Sequence, residues 1–291
     1  MVETERWRIA IVSMVLPVVE RLVPVLRDLG HDPVGVVTAR SDRDRARSRG
    51  PGDMTLGDGS VPAGLDLLFA KDKWSMESLL RALGPDLMLC WGFPWKLPQA
   101  ALDVAPLGSI NLHPALLPRH RGPIPLAWAL REGDGRFGIT WHRMDAELDT
   151  GRLLAQTSIP IEDDDVEIMD FGPKLGAAAF RLLPGVLERV AAGDPGDPQL
   201  EEGASWAGYF EDDEYARIDW TQPARRIHDQ VRAWNLTFGM GEIVAPVAEL
   251  DGERVRLVRT SLRDPGEGAR RVECGDGPLW LVEMESLPES S

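Results

Sequence analysis

The sequence predicts an α/β protein: a mostly parallel sheet of the Rossmann type, followed by a small β-rich C-terminal domain. Three observations carry this reading. Up to residue 191, short apolar runs alternate with stretches of helical periodicity, the pattern of βαβ units. Ala192–Ser205 (AGDPGDPQLEEGAS) is rich in Pro, Gly and acids and marks a domain boundary. Beyond it, short segments are punctuated by Asp-Gly pairs, as in hairpins. The expected division is therefore residues 1–191, a linker at 192–205, and a helix plus β-rich domain at 206–291.

Element by element, Arg8–Met14 is a compact apolar run and reads as the first strand. Pro17–Leu29 reads as a helix stopped by Gly30, and Pro33–Thr38 as the second strand. Asp66–Phe69 is a short strand, Trp74–Leu83 a helix, and Asp86–Trp91 a buried strand. Gly108–His113 follows as a strand, Ile124–Arg131 as a helix, and Gly138–Arg143 and Leu153–Ile159 as later strands. Val166–Val190 is a long helical stretch in which Pro173 and Pro184 should break or kink the helix. Pro223–Trp234 reads as a helix. Glu242–Leu262 and Arg271–Glu285 read as short strands turning at Asp251 and Asp276, and Leu287–Ser291 as a frayed end. No internal repeat is present.

Composition excludes several classes. With 43% hydrophobic and 27% charged residues, the 291-residue chain reads as an ordinary globular protein. No apolar run approaches the roughly 20 residues that span a bilayer, and MVETERWRIAIVSM lacks the basic start of a signal peptide. A cytoplasmic protein without a membrane partner is expected. Cys90 and Cys274 are the only cysteines, so neither a disulfide framework nor a Cys-based zinc site is expected. His-Glu-x-x-His and Cys-x-x-Cys are absent, and no metal is expected. Ser13–Val19 (SMVLPVV) has no glycine fingerprint after the first strand, so the sheet need not bind a dinucleotide. The net charge of −15 opposes long-range steering of a polyanion.

The chemistry concentrates in GSINLHPALLPRHRG (Gly108–Gly122) and MDAELDTG (Met144–Gly151). Asn111 and His113 are two residues apart, so a strand points both side chains to one face. Pro114 then ends the strand. Two polar groups are thereby presented at an exposed strand end, where α/β folds place their sites. Asn, His and Asp149 are the types needed to cradle an oxyanion and manage one proton. An isolated pair of this kind usually only satisfies buried backbone groups, so the weight rests on the whole pattern.

That pattern resembles the signature of the folate-dependent formyltransferase family, Asn-x-His-x-Ser/Ala-Leu-Leu-Pro-x-x-x-Gly followed by an Asp-Thr-Gly turn. The similarity is densest from Ile9 to Ala155. A weaker echo of the methionyl-tRNA branch appears in Ala216–Asn235 and Cys274–Gly277. The resemblance implies the formyltransferase fold, a small β-barrel-like tail, and 10-formyltetrahydrofolate as cosubstrate. It implies that an amine attacks the formyl carbon through a tetrahedral intermediate. Asn111 would donate to the developing oxyanion. His113 would donate to the same oxygen or pass a proton to the leaving nitrogen. Asp149 would orient the imidazole and collect the amine proton through water. Losing one oxyanion donor typically costs about 10²–10³ in rate. No covalent intermediate is implied. Folate-pocket candidates are Leu89, Trp91, Gly92, Phe93 and Leu97 on one wall and Asp145, Glu147 and Leu148 on the other. Aromatics after a buried strand, here Trp91, Phe93 and Trp95, are more often core, and backbone near Trp91 and Gly92 is the better contact. Acceptor candidates are Pro118, Arg119, His120 and Arg121, with Gly122 permitting a tight turn. The loop arginines equally suit solvent. His142 faces either pocket or core; His31 and His228 are expected at the surface.

The acceptor divides the family. Family members formylate glycinamide ribonucleotide, methionyl-tRNA or amino sugars. Arg40–Arg49 lies where the tRNA branch carries a basic insertion, but Asp42 and Asp44 dilute it. From Gly203 on there is no lysine, and ten arginines face seventeen acids, a net of −7. A tail that grips tRNA should be basic. The loop also reads Arg-Gly-Pro-Ile-Pro at Arg121–Pro125, where the tRNA branch has Arg-Gly-Ala-Ala-Pro. The expected acceptor is a small-molecule primary amine, such as an amino sugar nucleotide or biosynthetic intermediate, with methionyl-tRNA as the alternative. A formyltetrahydrofolate hydrolase and a non-catalytic folate-binding module are weaker readings, and a homodimer is compatible with all of them.

Overall fold

The computed structural model describes residues 5–39, 61–211, 215–237 and 245–287. The Arg40–Arg49 stretch, the start of the expected Glu242–Leu262 segment and the last four residues of Leu287–Ser291 lie outside the described residues.

The first strands match the apolar runs: β1 (Arg8–Val12), β2 (Asp32–Ala39), β3 (Asp66–Ala70), β4 (Leu87–Trp91) and β5 (Ser109–His113). Between them lie α1 (Leu16–Asp28), α2 (Met76–Leu83) and a short α3 (Gln99–Leu102) that the sequence reading missed. The segment read as one helix over Trp74–Leu83 is a short 3-10 turn, Lys73–Ser75, capped by the Asp72 carboxylate, leading into α2. Then come α4 (Pro125–Arg131), β6 (Arg136–Arg143) and β7 (Leu153–Pro160). The seven strands form one sheet in the order β3-β2-β1-β4-β5-β6-β7. β1 to β5 pair in parallel, and β6 pairs antiparallel to β5. The mostly parallel α/β sheet expected from the sequence is thus present. Central β1 and β4 are buried at successive positions, and so on both faces, as strands of a parallel sheet covered on both sides are.

α5 (Ile168–Ala191) runs 24 residues without interruption, so the break expected at Pro173 and Pro184 does not occur. Each proline forfeits a backbone bond at a cost of about 3 kcal/mol. Against this, Phe171, Leu175, Ala178, Ala179, Leu183, Val186, Leu187 and Val190 are all buried along the helix. That apolar stripe outweighs the two lost bonds.

The chain divides into two compact units. One comprises Met1–Pro118, Ile139–Thr157 and Gly176–Ala204; the other comprises Arg119–Gly138, Ser158–Leu175 and Ser205–Ser291. The second contains α6 (Ala224–Asn235) and an antiparallel sheet of β8 (Val247–Leu250), β9 (Glu253–Ser261), β10 (Arg270–Cys274) and β11 (Gly277–Ser286), in the order β10-β11-β9-β8. The implied barrel is therefore a four-stranded sheet among the described residues. Asp251 and Gly252 both have positive φ, 54° and 85°, the two-residue turn that Asp-Gly favours. Ile227 and Val231 of α6 pack on Leu257, Leu279 and Leu281 of this sheet.

His31 and His228, expected at the surface, are buried. His31 stacks on Trp7 at 4.7 Å and accepts the Trp7 backbone N–H; its burial lowers its pKa. His228 is held between Thr260 Oγ1, 2.8 Å from Nδ1, and the Asp163 carbonyl, 3.1 Å from Nε2. Their local sequence is polar, and tertiary docking rather than local pattern buries them.

Candidate active site

β5 ends at His113 because Pro114 follows, as the sequence implied. The side chain of His113 is only 5% exposed, so this strand end is closed over rather than open to solvent. Antiparallel pairing sets Asn111 directly opposite His142 and His113 opposite Thr140. Directly opposite residues project to the same face of a sheet. The register thus brings His142 to the face that carries Asn111 and His113. The sequence reads His142 as facing either pocket or core; the register sets it, buried, beside Asn111.

Asp149 completes the cluster from the loop between β6 and β7. Its Oδ2 is 3.5 Å from His113 Nδ1, and its Oδ1 accepts from Asn111 Nδ2 at 3.4 Å. Asp149 Oδ1 also lies 3.6 Å from His142 Nε2. Asn111 Nδ2 approaches His142 Nε2 at 3.1 Å, and His142 Nδ1 approaches the Arg143 carbonyl at 2.7 Å. A carbonyl only accepts, so Nδ1 carries the proton and donates. Nε2 of the neutral ring then accepts from Asn111. In this state both Asn111 amide hydrogens point at internal acceptors. The Asp149 contact is the longer and weaker of the two, and is the one an incoming oxygen displaces more easily.

The backbone holds this arrangement under strain. Asp149 has φ +58°, a left-handed conformation disfavoured for a residue with a side chain. At Gly151 an added Cβ would lie 1.7 Å from the Arg143 carbonyl oxygen, so no other residue fits. The loop after His113 is fixed by Thr140, whose hydroxyl donates to the Ala115 carbonyl at 2.7 Å, and by Gln156, which donates to the Leu117 carbonyl at 3.0 Å. Leu117-Pro118 is a cis peptide. Cys90 lies beside Asn111 in the sheet; burial, together with the Asp149 charge, pushes its thiol far above the ordinary range. It is therefore no nucleophile at neutral pH.

The folate-pocket candidates are placed unevenly. Leu89 and Leu97 are buried in the core. Trp91 packs its ring against Trp141 at 6.2 Å and Phe180 at 5.6 Å. Phe93 and Trp95 meet edge-on at 5.2 Å and pack against the same core cluster as Met144. Gly92 is exposed, with φ +65°. Asp145 accepts from the Glu147 backbone N–H and from Thr150 Oγ1 at 2.7 Å, which shapes the loop leading to Asp149. Leu148 is exposed at the loop surface. Lys96 pairs with Glu147 at 2.7 Å, tying the Trp91–Leu97 segment to the Asp145–Leu148 loop. The two walls inferred from sequence are thus brought together.

Among the acceptor candidates, Arg119 is engaged by two carboxylates. Its guanidinium pairs with Glu132 and, at 2.9 Å, with Asp134. His120, at φ +60° and buried, reaches Asp134 through Nε2 at 2.9 Å. His120, Glu132 and Asp134 carry ligand-type atoms within 4.8 Å of one another, but the Arg119 guanidinium already supplies the positive charge there. Arg121 is held by its backbone: its N–H donates to the Ser205 carbonyl at 2.9 Å, and its carbonyl accepts from Ala207 at 2.6 Å. Gly122, at φ +121°, lets this strap pass, since a Cβ would lie 2.9 Å from the Ala207 oxygen.

Comparison with known proteins gives the family and the fold. The sequence profile of the formyl transferase family matches residues 67–180, and that of the formyl transferase C-terminal domain matches residues 212–287. A methionyl-tRNA formyltransferase of Pelobacter propionicus is 34% identical over 218 residues, covering 71% of this chain and 66% of the relative. The chain thus spans about two thirds of the length of that relative. One from Pseudomonas putida (strain GB-1) is 32% identical over 282 residues, covering 89% and 86%. Among solved structures, HypX from Aquifex aeolicus in complex with tetrahydrofolic acid superposes with a TM-score of 0.67 at 19% identity, over 98% of this chain and 45% of that one. The N-formyltransferase from Helicobacter canadensis, with folinic acid and dTDP-3-aminofucose, gives 0.65 at 14% identity, over 96% and 99%. These two likenesses speak for the fold. No helix among the described residues is long and apolar enough to cross a membrane. With the motif, the sheet topology and relatives aligned over most of its length, this chain belongs to the formyl transferase family.

Proposed function

We propose that this chain transfers the formyl group of 10-formyltetrahydrofolate to the primary amine of a small molecule. The observation that carries the chemistry is the convergence of Asn111 and His113 on one Asp149 carboxylate, at 3.4 and 3.5 Å, with His142 beside the Asn111 amide at 3.1 Å. The amine nitrogen attacks the formyl carbon, the C–N bond to the folate breaks, and negative charge builds on the formyl oxygen between these events. Asn111 exchanges its weak bond to Asp149 for one to that oxygen. With Nδ1 turned to Asp149, His113 uses Nε2 toward the reacting atoms. The Asp149 carboxylate favours the charged imidazole, so His113 supplies the proton that the departing folate nitrogen takes. Asp149 receives the amine proton through water. The neutral His142 ring keeps the Asn111 amide facing the site.

The Lys96–Glu147 tie supports a folate pocket between Trp91–Leu97 and the loop before Asp149. The relatives named for tetrahydrofolic acid and folinic acid support the same cosubstrate. With Leu89 and Leu97 in the core, backbone near Gly92 and the loop are its contacts. A small acceptor is favoured by the second unit's charge. Arg225, Arg232, Arg256, Arg263, Arg270 and Arg271, six of the ten arginines beyond Gly203, each have a carboxylate partner. Paired arginines do not build a phosphate-binding stripe. Methionyl-tRNA is the second reading, and the 34% identity to the Pelobacter propionicus enzyme favours it.

The test is release of tetrahydrofolate, followed by absorbance, with methionyl-tRNA, amino sugar nucleotides and small amines offered in parallel. Turnover with a small amine is expected, and His113→Ala and Asp149→Ala should each lower it by about 10²–10⁴. Turnover with charged tRNA alone would reverse the acceptor assignment. Wild-type rates in either variant would remove the proposed roles.

A further inference from the structure

The residues just after α5 read in the sequence as linker, yet they are bonded to β6, β7 and the loop between them. Arg189 pairs with Asp194 at 2.6 Å and Asp197 at 3.0 Å. Leu153 and Asp197 exchange two backbone bonds of 2.8 Å. Arg152 Nε donates to the Gly196 carbonyl at 2.7 Å, and Arg143 Nη2 to the Asp194 carbonyl at 2.9 Å. At the end of this belt, the Gln199 side-chain Nε2 donates to the Asp149 carbonyl at 2.8 Å and to the Gly151 carbonyl at 2.7 Å. One amide group therefore clamps both ends of the Asp149-Thr150-Gly151 turn.

The clamp sits where the backbone needs one. Asp149 holds φ +58°, a conformation costing about 1–3 kcal/mol for a residue with a side chain. Relaxing that φ would swing the carboxylate away from His113 Nδ1 and Asn111 Nδ2, which it meets at 3.5 and 3.4 Å. Thr150 ties the turn from its other side through Asp145 at 2.7 Å, but it does not touch the two carbonyls. Gln199 binds those two carbonyls directly, at 2.8 and 2.7 Å.

We infer that Gln199 is a positioning residue for formyl transfer, holding the Asp149 turn so that its carboxylate meets His113 and Asn111. The inference rests on the catalytic reading of Asp149. Without the clamp the turn samples relaxed backbone states, and the carboxylate is in place for only part of the time. Misplacement of a reacting group by about 1 Å can cost about 10²-fold in rate.

The experiment compares Gln199→Met, which keeps the length and loses the donors, with Gln199→Lys, which keeps N–H donors at similar reach. Asp149→Asn is run in parallel. Two readouts are taken: kcat and KM from 10-formyltetrahydrofolate with whichever acceptor of the panel turns over, and the NMR titration of the His113 ring, which needs no acceptor. Gln199→Met should keep its fold and its KM for the folate, lose about ten-fold or more in kcat, and titrate His113 at lower pH than wild type. Gln199→Lys should recover part of kcat. A folded Gln199→Met with the wild-type His113 titration and kcat, beside an inactive Asp149→Asn, would overturn the role of Gln199 alone. Equal losses in the Met and Lys variants with His113 unchanged would make the clamp merely structural. Full activity in Asp149→Asn would remove the catalytic reading and this inference with it.

Discussion

His228 makes stability depend on pH in a direction and size that the structure sets. Its ring is buried and satisfied in the neutral form, with Nε2–H donating to the Asp163 carbonyl and Nδ1 accepting from Thr260 Oγ1. Burial is the main cause of its lowered pKa, from 6.5 to about 4. The Arg232 and Arg225 charges push the same way, while the Asp163 carbonyl and carboxylate oppose them. The folded state thus binds this proton only near pH 4, whereas the unfolded chain binds it near 6.5. Between those values the unfolded state carries more protons, so stability falls as pH falls. The stabilisation is whole above pH 6.5, is down by about 2 kcal/mol at pH 5, and levels off below pH 4 at a loss of about 3 kcal/mol. Urea denaturation of wild type and His228→Gln, followed by tryptophan fluorescence from pH 7.5 to 4, reads this directly. The glutamine variant starts less stable, and the gap narrows toward acid because its side chain does not titrate. A gap that stays constant across the range would refute the buried, neutral histidine.

Two further outcomes follow from particular contacts. Gly151→Ala should abolish formyl transfer and destabilise the first unit, because its Cβ would sit 1.7 Å from the Arg143 carbonyl oxygen; a melting temperature and activity equal to wild type would show that the turn relaxes freely. Arg131 lies over the rings of Trp128, Phe210 and Tyr215 at 4.9, 5.0 and 4.1 Å, so Arg131→Met should cost the second unit about 1–3 kcal/mol in urea denaturation, and a neutral effect would show that the caged charge contributes nothing.

The parts legible in the sequence were those encoded locally. Asn111 and His113 share a strand face by spacing alone, and Asp251-Gly252 fixes its own turn. The parts that were not legible depend on which strand lies beside which. His142 joins the site because β6 returns antiparallel with Asn111 opposite it, a register that no periodicity reveals. Arg119 read as a solvent or substrate residue because its partners, Glu132 and Asp134, lie 13 and 15 positions away. Gln199 was hidden in a Pro/Gly-rich stretch that composition marks as a linker. Two prolines predicted a break in α5 that packing overrides.

On the proposed catalytic reading, the pairing of Asn111 with His142 makes formyl transfer a check on folding. Side chains alternate across a sheet, so sliding β6 by one residue would turn His142 to the opposite face and set a neighbour against Asn111. Such a chain would keep its helices and strands, and a circular dichroism spectrum would pass it as native. Its rate of formyl transfer would not, so specific activity measured during refolding counts the molecules in which these two strands have paired in register.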